Sequence, residues 1–392
     1  MTALVASAEG NFVANPSFEL SEPPPPRAEF KGLVAPSDKW LPRAWSVWPM
    51  DYGGYTLTIE AKLAHSGGRA VHVQGQGGFS MRYGPIPHYD HTPWTVRFWA
   101  RGTGSVQAVA YEMLYGRGPA ALKDWKFPLT AEWKEYEFQY EAPEDCVSWH
   151  LDLGNGASTD LWLDDVFVGH PGLEALGLPP EKALGKDEHT LLYQPFEEPL
   201  DEYQYFTQGQ VALSKPNEGP FGKGLVLGPR GYVACSAGKY VNPQVGTIEF
   251  WVKPGFPGDD HVTHNFVTIG GAEGMQICKH EFPHVWFMFT TGFGTLSCAW
   301  AETYAMYWQP GVWRHIAACW DKDLLELFID GKLAAWEVKP KLLRATGDEL
   351  GIGSEGMELD DLRISDVVRY RVPVKTDGPR RNESFIGGKG RG

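Results

Sequence analysis

Five aromatic rings stand within residues 40–55, Trp40, Trp45, Trp48, Tyr52 and Tyr55, in a segment broken by Pro and Gly that also carries Arg43 and Asp51. Sugar rings present flat CH faces, so a site for them needs exposed aromatic planes flanked by side chains that can donate to and accept from hydroxyls. The segment supplies both kinds of group, which makes Trp45, Trp48, Tyr52 and Tyr55 candidate stacking residues. The structural alternative is that Trp45 and Trp48 plug the end of a sandwich. Tyr111, Tyr115 and Trp125 lie on or beside a strand and loop containing Gly116-Arg117-Gly118 and could face the same site, with ordinary core as the alternative. In the run 95–101, Arg97, Trp99 and Arg101 share one face and Val96, Phe98 and Ala100 the other. A Trp between two Arg suits sugar stacking, and a surface cation–π pair explains it equally well. Trp300, Tyr304 and Trp308 fall in a loop-rich stretch later in the chain and form a second candidate rim.

Acid–base and metal chemistry have thinner support. His88, Tyr89 and His91 follow Pro85 and Pro87 and so sit in a loop. A His or Tyr beside an Arg could take the proton next to a uronate carboxylate, as a polysaccharide lyase requires; the plain reading is a polar turn. Glycoside hydrolysis needs two carboxylates about 5 to 9 Å apart, and no motif supplies that pair. His280 and His284 match the spacing of a zinc-protease motif, but Pro283 breaks the helix that would aim both rings at one metal. With His261 and His264 they could instead form another cluster, surface or packing roles being the default. Glu19 with Asp164 and Asp165 offers the hard oxygen that calcium takes, and Asp360-Asp361 repeats the idea; capped turns are the alternative. A structural calcium and no organic cofactor are expected.

The elements that must hold these residues are strands. Residues 95–102 and 247–254 carry the same Phe-Trp strand, Trp133 and Trp313 each lead a later strand, and each series closes on a paired aspartate. A chain of 392 residues with 16 Trp, 46 Gly and 30 Pro suits two domains built of many short strands. We expect an all-β protein of two antiparallel β-sandwich (jelly-roll) domains in tandem: 1–172, a Gly/Pro-rich linker at 173–189, 190–370, and a flexible basic tail at 371–392. Trp99 and Trp133 are 34 positions apart and Trp251 and Trp313 are 62 apart, so the second domain carries extra material between 255 and 312.

Charge narrows the partners. Residues 1–172 hold 13 Lys/Arg against 20 Asp/Glu and the remainder 22 against 29, −7 on each side. Such a surface repels nucleic acid and anionic membranes. No apolar run reaches the length of a membrane span, about 18 residues. The small residues Val5 to Ala8 resemble the end of a signal peptide, so we expect a trimmed signal and an extracellular or cell-surface location. The five cysteines form no CxxC and read as buried residues.

Two resemblances follow from these residues. Asn15-Pro-Ser-Phe-Glu19, His65-Ser-Gly-Gly-Arg-Ala-Val-His-Val, Arg97-Phe-Trp-Ala-Arg-Gly, Trp133-Lys-Glu-Tyr and Leu163-Asp-Asp-Val make the first domain similar to the galactose-binding-like jelly rolls of carbohydrate-binding modules in the xylan and β-glucan binding group. Phe221-Gly-Lys-Gly-Leu, Gly246-Thr-Ile-Glu-Phe-Trp-Val-Lys-Pro, Trp313-Arg-His-Ile-Ala, Leu327-Phe-Ile-Asp330-Gly-Lys and Leu350-Gly-Ile-Gly make the second similar to the concanavalin A-like, laminin G-type sandwich. The resemblance implies the fold, a calcium clamp between first and last strands of the jelly roll, and, more loosely, sugar binding. The expected function is non-catalytic binding of a neutral or weakly charged polysaccharide. A polysaccharide lyase or glycoside hydrolase on one sandwich and a self-associating structural or adhesion protein are the alternatives.

Overall fold

Alternation along each strand sets which face is buried. In Trp94–Thr103, Trp94, Val96, Phe98 and Ala100 are buried and Thr95, Arg97 and Trp99 are half-exposed, the period of two that a sheet packed on one face requires. Lys134–Tyr140 repeats it, burying Tyr136, Phe138 and Tyr140. The computed structural model describes residues 10–19, 21–22, 41–42, 45–48, 55–60, 63–75, 78–88, 92–114, 118–155, 160–171, 173, 179–270, 273–282, 284–291, 294–301, 305 and 308–374. The chain divides into two units, Met1–Ala175 with Val372–Gly392, and Leu176–Arg371.

Unit 1 is a sandwich of two five-stranded antiparallel sheets. Sheet A runs Lys134–Tyr140, Trp94–Thr103, Asp160–Gly169, Ala70–Gly75, Tyr55–Glu60; sheet B runs Ser46–Trp48, Phe79–Pro87, Cys146–Asn155, Ser105–Leu114, Gly118–Pro128. The buried sets include Val71, Val73, Phe98, Leu161 and Leu163 from sheet A and Met81, Tyr83, Ala108, Ala110, Leu151 and Leu153 from sheet B. Each large ring so buried contributes about 1.5–3 kcal/mol.

Unit 2 is also an antiparallel sandwich, of an eight-stranded and a seven-stranded sheet. In the eight-stranded sheet C, Met357–Ser365 pairs with Gly246–Pro254, which pairs with Arg314–Trp320, followed by Leu324–Ile329 and Lys332–Val338. The seven-stranded sheet D runs Phe206–Gln208, Tyr232–Ser236, Glu349–Ile352, His264–Ile269, Glu273–Lys279, Val285–Thr291, Gly294–Ala301. The last four supply the extra length between 255 and 312. The core includes Phe250, Phe266, Phe287, Phe289, Trp308 and Trp320. No helix among the described residues is long and apolar enough to cross a membrane.

Unit 2 begins inside the stretch that composition reads as a linker. The Leu184 N–H donates to Asp361 Oδ2 at 2.8 Å, and Arg369 grips Asp187 with two bonds of 2.8 and 2.7 Å, so residues 184–187 are pinned to sheet C. Of the expected basic tail, Val372 and Val374 are buried and residues 375–392 lie outside the described residues. All five cysteines are buried.

Candidate functional site

The outer face of sheet B brings together the groups that sugar recognition needs. Arg82 comes from Phe79–Pro87, His150 and Asp152 from Cys146–Asn155, and Gln107 and Tyr111 from Ser105–Leu114; each alternates with core residues, so all point away from the core. Register places Arg82 opposite Asp152 and His150 opposite Tyr111. Arg82 donates through Nε and Nη2 to the two carboxylate oxygens of Asp152, both at 2.7 Å, a bidentate pair that fixes the guanidinium plane. That plane lies 4.5 Å from the centroid of the Tyr111 ring. Gln107 Nε2 donates to Asp124 Oδ2 at 3.1 Å on the next strand. Gly84 lets His150 lie across its strand, because a Cβ there would stand 2.4 Å from the imidazole. An aromatic ring, a fixed donor fork and several acceptors thus share one half-exposed sheet face. Trp48, on the edge strand, pairs in register with Ser80 of the same sheet.

The residues singled out by sequence divide sharply. Trp45 and Tyr55 are core, not platform: Trp45 packs between Phe18 and Tyr83 at 5.5 and 5.1 Å, and Tyr55 against Phe79 at 5.2 Å. The side chains of Trp48, Tyr52, Tyr115 and Tyr304 lie outside the described residues, as do Tyr89 and His91. Trp99 is half-buried on the outer face of sheet A, with one ring face covered by His65, stacked at 3.7 Å. Its neighbours behave as the surface alternative expects: Arg97 lies over Phe167, and Arg101 sits between Trp133 and Trp162. Trp125 stacks on Phe138 at 4.1 Å, a packing role. Trp308 is buried in the core of unit 2, whereas Trp300 stays half-buried on the outer face of sheet D. His88 is buried and its Nδ1 is 3.0 Å from the Cys146 carbonyl, so it is in no position to meet a substrate as a base. His280 and His284 flank a turn between two strands, not a helix.

Glu19, Asp164 and Asp165 do come to one end of unit 1. Asp164, fully buried, accepts from the His65 and Ser66 N–H groups at 2.7 and 3.2 Å. Asp165, in the left-handed region at φ 48°, takes the Ser17 and Ser66 hydroxyls at 2.5 and 2.6 Å and faces His65 Nδ1 at 2.6 Å. Glu19 accepts from Gly68 and Arg69 N–H. Burial, aided by the Asp165 charge, pushes the Asp164 carboxyl up to about 8. The oxygens are of the hard type calcium takes, and a cation would relieve that crowding. Among the described residues no three His, Cys, Asp or Glu side chains gather at metal-binding spacing, so such an ion would need hydroxyl and carbonyl oxygens beside the carboxylates.

Unit 2 repeats part of this arrangement. Phe196 and Phe18 both adopt φ near 55°, Glu197 accepts the Lys223 N–H at 2.9 Å as Glu19 accepts Gly68, and Asp361 repeats the left-handed conformation of Asp165 at φ 52°. The order Pro, Phe, Glu in Asn15–Glu19 and Gln194–Glu197 was the signal that could have revealed it.

Similar folds among solved structures are numerous and distant. The receptor binding domain of botulinum neurotoxin mosaic serotype C/D aligns at 11% identity and TM-score 0.38 over 46% of this chain and 48% of that one, so the chain spans under half its length. The tandem CBM22-1–CBM22-2 domain of Paenibacillus barcinonensis Xyn10C aligns at 12% identity and TM-score 0.29 over 92% of this chain and 100% of that one. TmCBM61, solved with β-1,4-galactotriose, aligns at 20% identity and TM-score 0.26 over 40% of this chain and 97% of that one. No curated protein matches the chain. Residues 227–370 match the Laminin_G_3 family of the Concanavalin A-like lectin/glucanases superfamily, and unit 2 therefore carries the concanavalin A-like, laminin G-type domain that its motifs resemble.

Proposed function

We propose that this protein is a non-catalytic polysaccharide-binding protein, held outside the cell or at its surface, whose site in unit 1 is the outer face of sheet B. The observation that carries this is the Arg82–Asp152 pair fixed against Tyr111, with His150 and Gln107 on the same face. Tyr111 supplies the plane, Arg82 the directed donors, and Asp152, His150 and the Gln107 carbonyl the acceptors for ring hydroxyls. Tyr111 with His150 beside an arginine also has the outline of a lyase site. There the arginine must neutralise a uronate carboxylate, and Arg82 is already engaged by Asp152, so the geometry favours uncharged sugar and retention without cleavage.

A glycan array with affinity electrophoresis tests the reading. Tyr111→Ala is expected to weaken retention by about tenfold, the worth of one good aromatic contact of roughly 1.4 kcal/mol, with no new reducing ends or unsaturated products from the unaltered protein. Unchanged retention in the variant would remove this site, and products would replace the function with an enzymatic one.

Calcium at Glu19, Asp164 and Asp165 is part of the proposal. EDTA is then expected to lower the melting temperature of unit 1 and added calcium to restore it, with magnesium ineffective because it demands a tighter octahedron. An unmoved melting curve would dispose of the ion.

A further inference from the structure

At the tip of the hairpin joining Glu273–Lys279 to Val285–Thr291, aromatic rings close into a circle. Phe282 lies 5.6 Å from His280, His280 stacks on Trp286 at 3.9 Å and 6°, Trp286 meets Trp300 at 5.5 Å, Trp300 meets His284 at 5.2 Å, and His284 returns to Phe282 at 5.9 Å. Strand alternation puts them there: Val285, Phe287 and Phe289 fill the core, so Trp286 and Met288 must face outward, and register sets Trp300 directly beside Trp286. The backbone of the turn is fixed by His280 N–H to the His284 carbonyl at 2.9 Å and His284 N–H to the Phe282 carbonyl at 2.6 Å.

The circle is not an extension of the main core. Its floor is a separate apolar cluster of Cys278, Met288 and Cys298, packed by Trp286 and Trp300. Hairpin tips ordinarily carry Gly, Asn, Asp or Pro, yet Phe282 presents a ring that is 54% exposed, and Val262 on the facing loop is 50% exposed. Such a tip leaves apolar surface in water with no folding reason for it. The polar groups are those of sugar recognition. His280 and His284 are both held below the ordinary imidazole value by burial, and the Phe282 N–H donates to His280 Nδ1 at 3.4 Å, so near pH 7 the neutral His280 ring presents its Nε2–H as a donor. Glu281 is exposed beside them. The indole N–H groups of Trp286 and Trp300 are buried and find no acceptor among the described residues, so a hydroxyl reaches them only where the rings part. Uncharged rings and a single exposed carboxylate fit an uncharged pyranose and repel a uronate or sulfate.

We infer that this aromatic circle is a second glycan site, separate from sheet B, so that one chain holds two uncharged glycan segments. The inference takes the class of ligand from the proposed function and its location from unit 2 alone. Two weak sites on one chain raise retention on a polysaccharide by about 100-fold or more over either alone, since the second contact becomes intramolecular.

Calorimetric titration of the full chain with a neutral oligosaccharide that retains it on the array is the test, repeated with Tyr111→Ala, Phe282→Ala with His280→Ala, and all three together. The second pair lies on the exposed tip, where truncation costs the fold little. The expected result is two sites in the unaltered protein, one in either partial variant and none in the combined one, with His280→Phe keeping the second site because it keeps the stack on Trp286. One site, lost on Tyr111→Ala and indifferent to the tip, would overturn the inference and leave sheet B standing. One site lost only on altering the tip would uphold the inference and dismiss sheet B. No glycan retained by the unaltered chain would overturn both.

Discussion

Arg363→Ala is expected to destabilise unit 2 by about 3–5 kcal/mol, the usual cost of leaving one buried charge without its partner. Glu249 sits fully buried on the outer face of sheet C. Arg363 reaches its Oε1 through Nε at 2.8 Å and Nη2 at 2.7 Å, and the Tyr370 hydroxyl donates to Oε2 at 2.6 Å. Burial outweighs these partners and still holds the Glu249 carboxyl above its ordinary range, so little margin remains. Without the Arg363 guanidinium, Glu249 keeps only the Tyr370 hydroxyl and the more distant Arg369 at 3.9 Å, so it must either stay ionised with weaker support or take up a proton at neutral pH, and both cost stability. The check is urea unfolding of the full chain followed by tryptophan emission. A unit of this size should lose on the order of 10 °C in melting temperature. Adding Glu249→Gln to Arg363→Ala should recover part of the loss, because the neutral amide no longer demands a cation. A single-variant loss under about 1 kcal/mol would mean that Glu249 is hydrated and the pair is an ordinary surface one.

The fold was legible because strand alternation is local. Val96, Phe98 and Ala100 against Arg97, Trp99 and Arg101 announce two faces without knowledge of any partner strand, and the structure buries the first set. The site was not legible, because it depends on pairings across long stretches of chain. Ser80-x-Arg82 and His150-x-Asp152 each look like the polar side of an ordinary strand; only the register that sets Arg82 against Asp152 across 70 residues makes them a unit. The segment 40–55 misled for the opposite reason. A Trp in a Pro-broken loop carries no local sign of burial, yet Phe18, turned into the left-handed region, and Tyr83 form a socket that encloses Trp45. The run from His280 to His284 drew notice for the spacing of its histidines, with surface or packing roles as their default. Its content is the aromatic order His, Phe, His and then Trp286, which strand register closes with Trp300.

His315→Phe is expected to leave unit 2 at least as stable near neutral pH and to blunt its loss of stability in acid. His315 is fully buried beside Trp251, at 5.3 Å, and neither ring nitrogen has a hydrogen-bond partner among the described residues. Its Nε2 is 3.9 Å from Glu249 Oε2, too far for a hydrogen bond. Burial pushes its pKa down to about 3. In the unfolded chain the same ring titrates near its ordinary value of about 6.5, so between about 6.5 and 3 the unfolded state binds a proton that the folded state refuses. Stability is therefore lost as pH falls through that window, by up to about 1.4 kcal/mol per pH unit. Phenylalanine fills a similar volume, has no proton to refuse, and removes an unmet polar group whose burial costs about 1–3 kcal/mol. Urea midpoints for both proteins across this acid range should diverge as pH falls, with the variant above. Parallel curves would mean that the imidazole is protonated in the fold, held by Glu249, and that the outer face of sheet C draws its stability from a histidine–glutamate pair and not from the arginines alone.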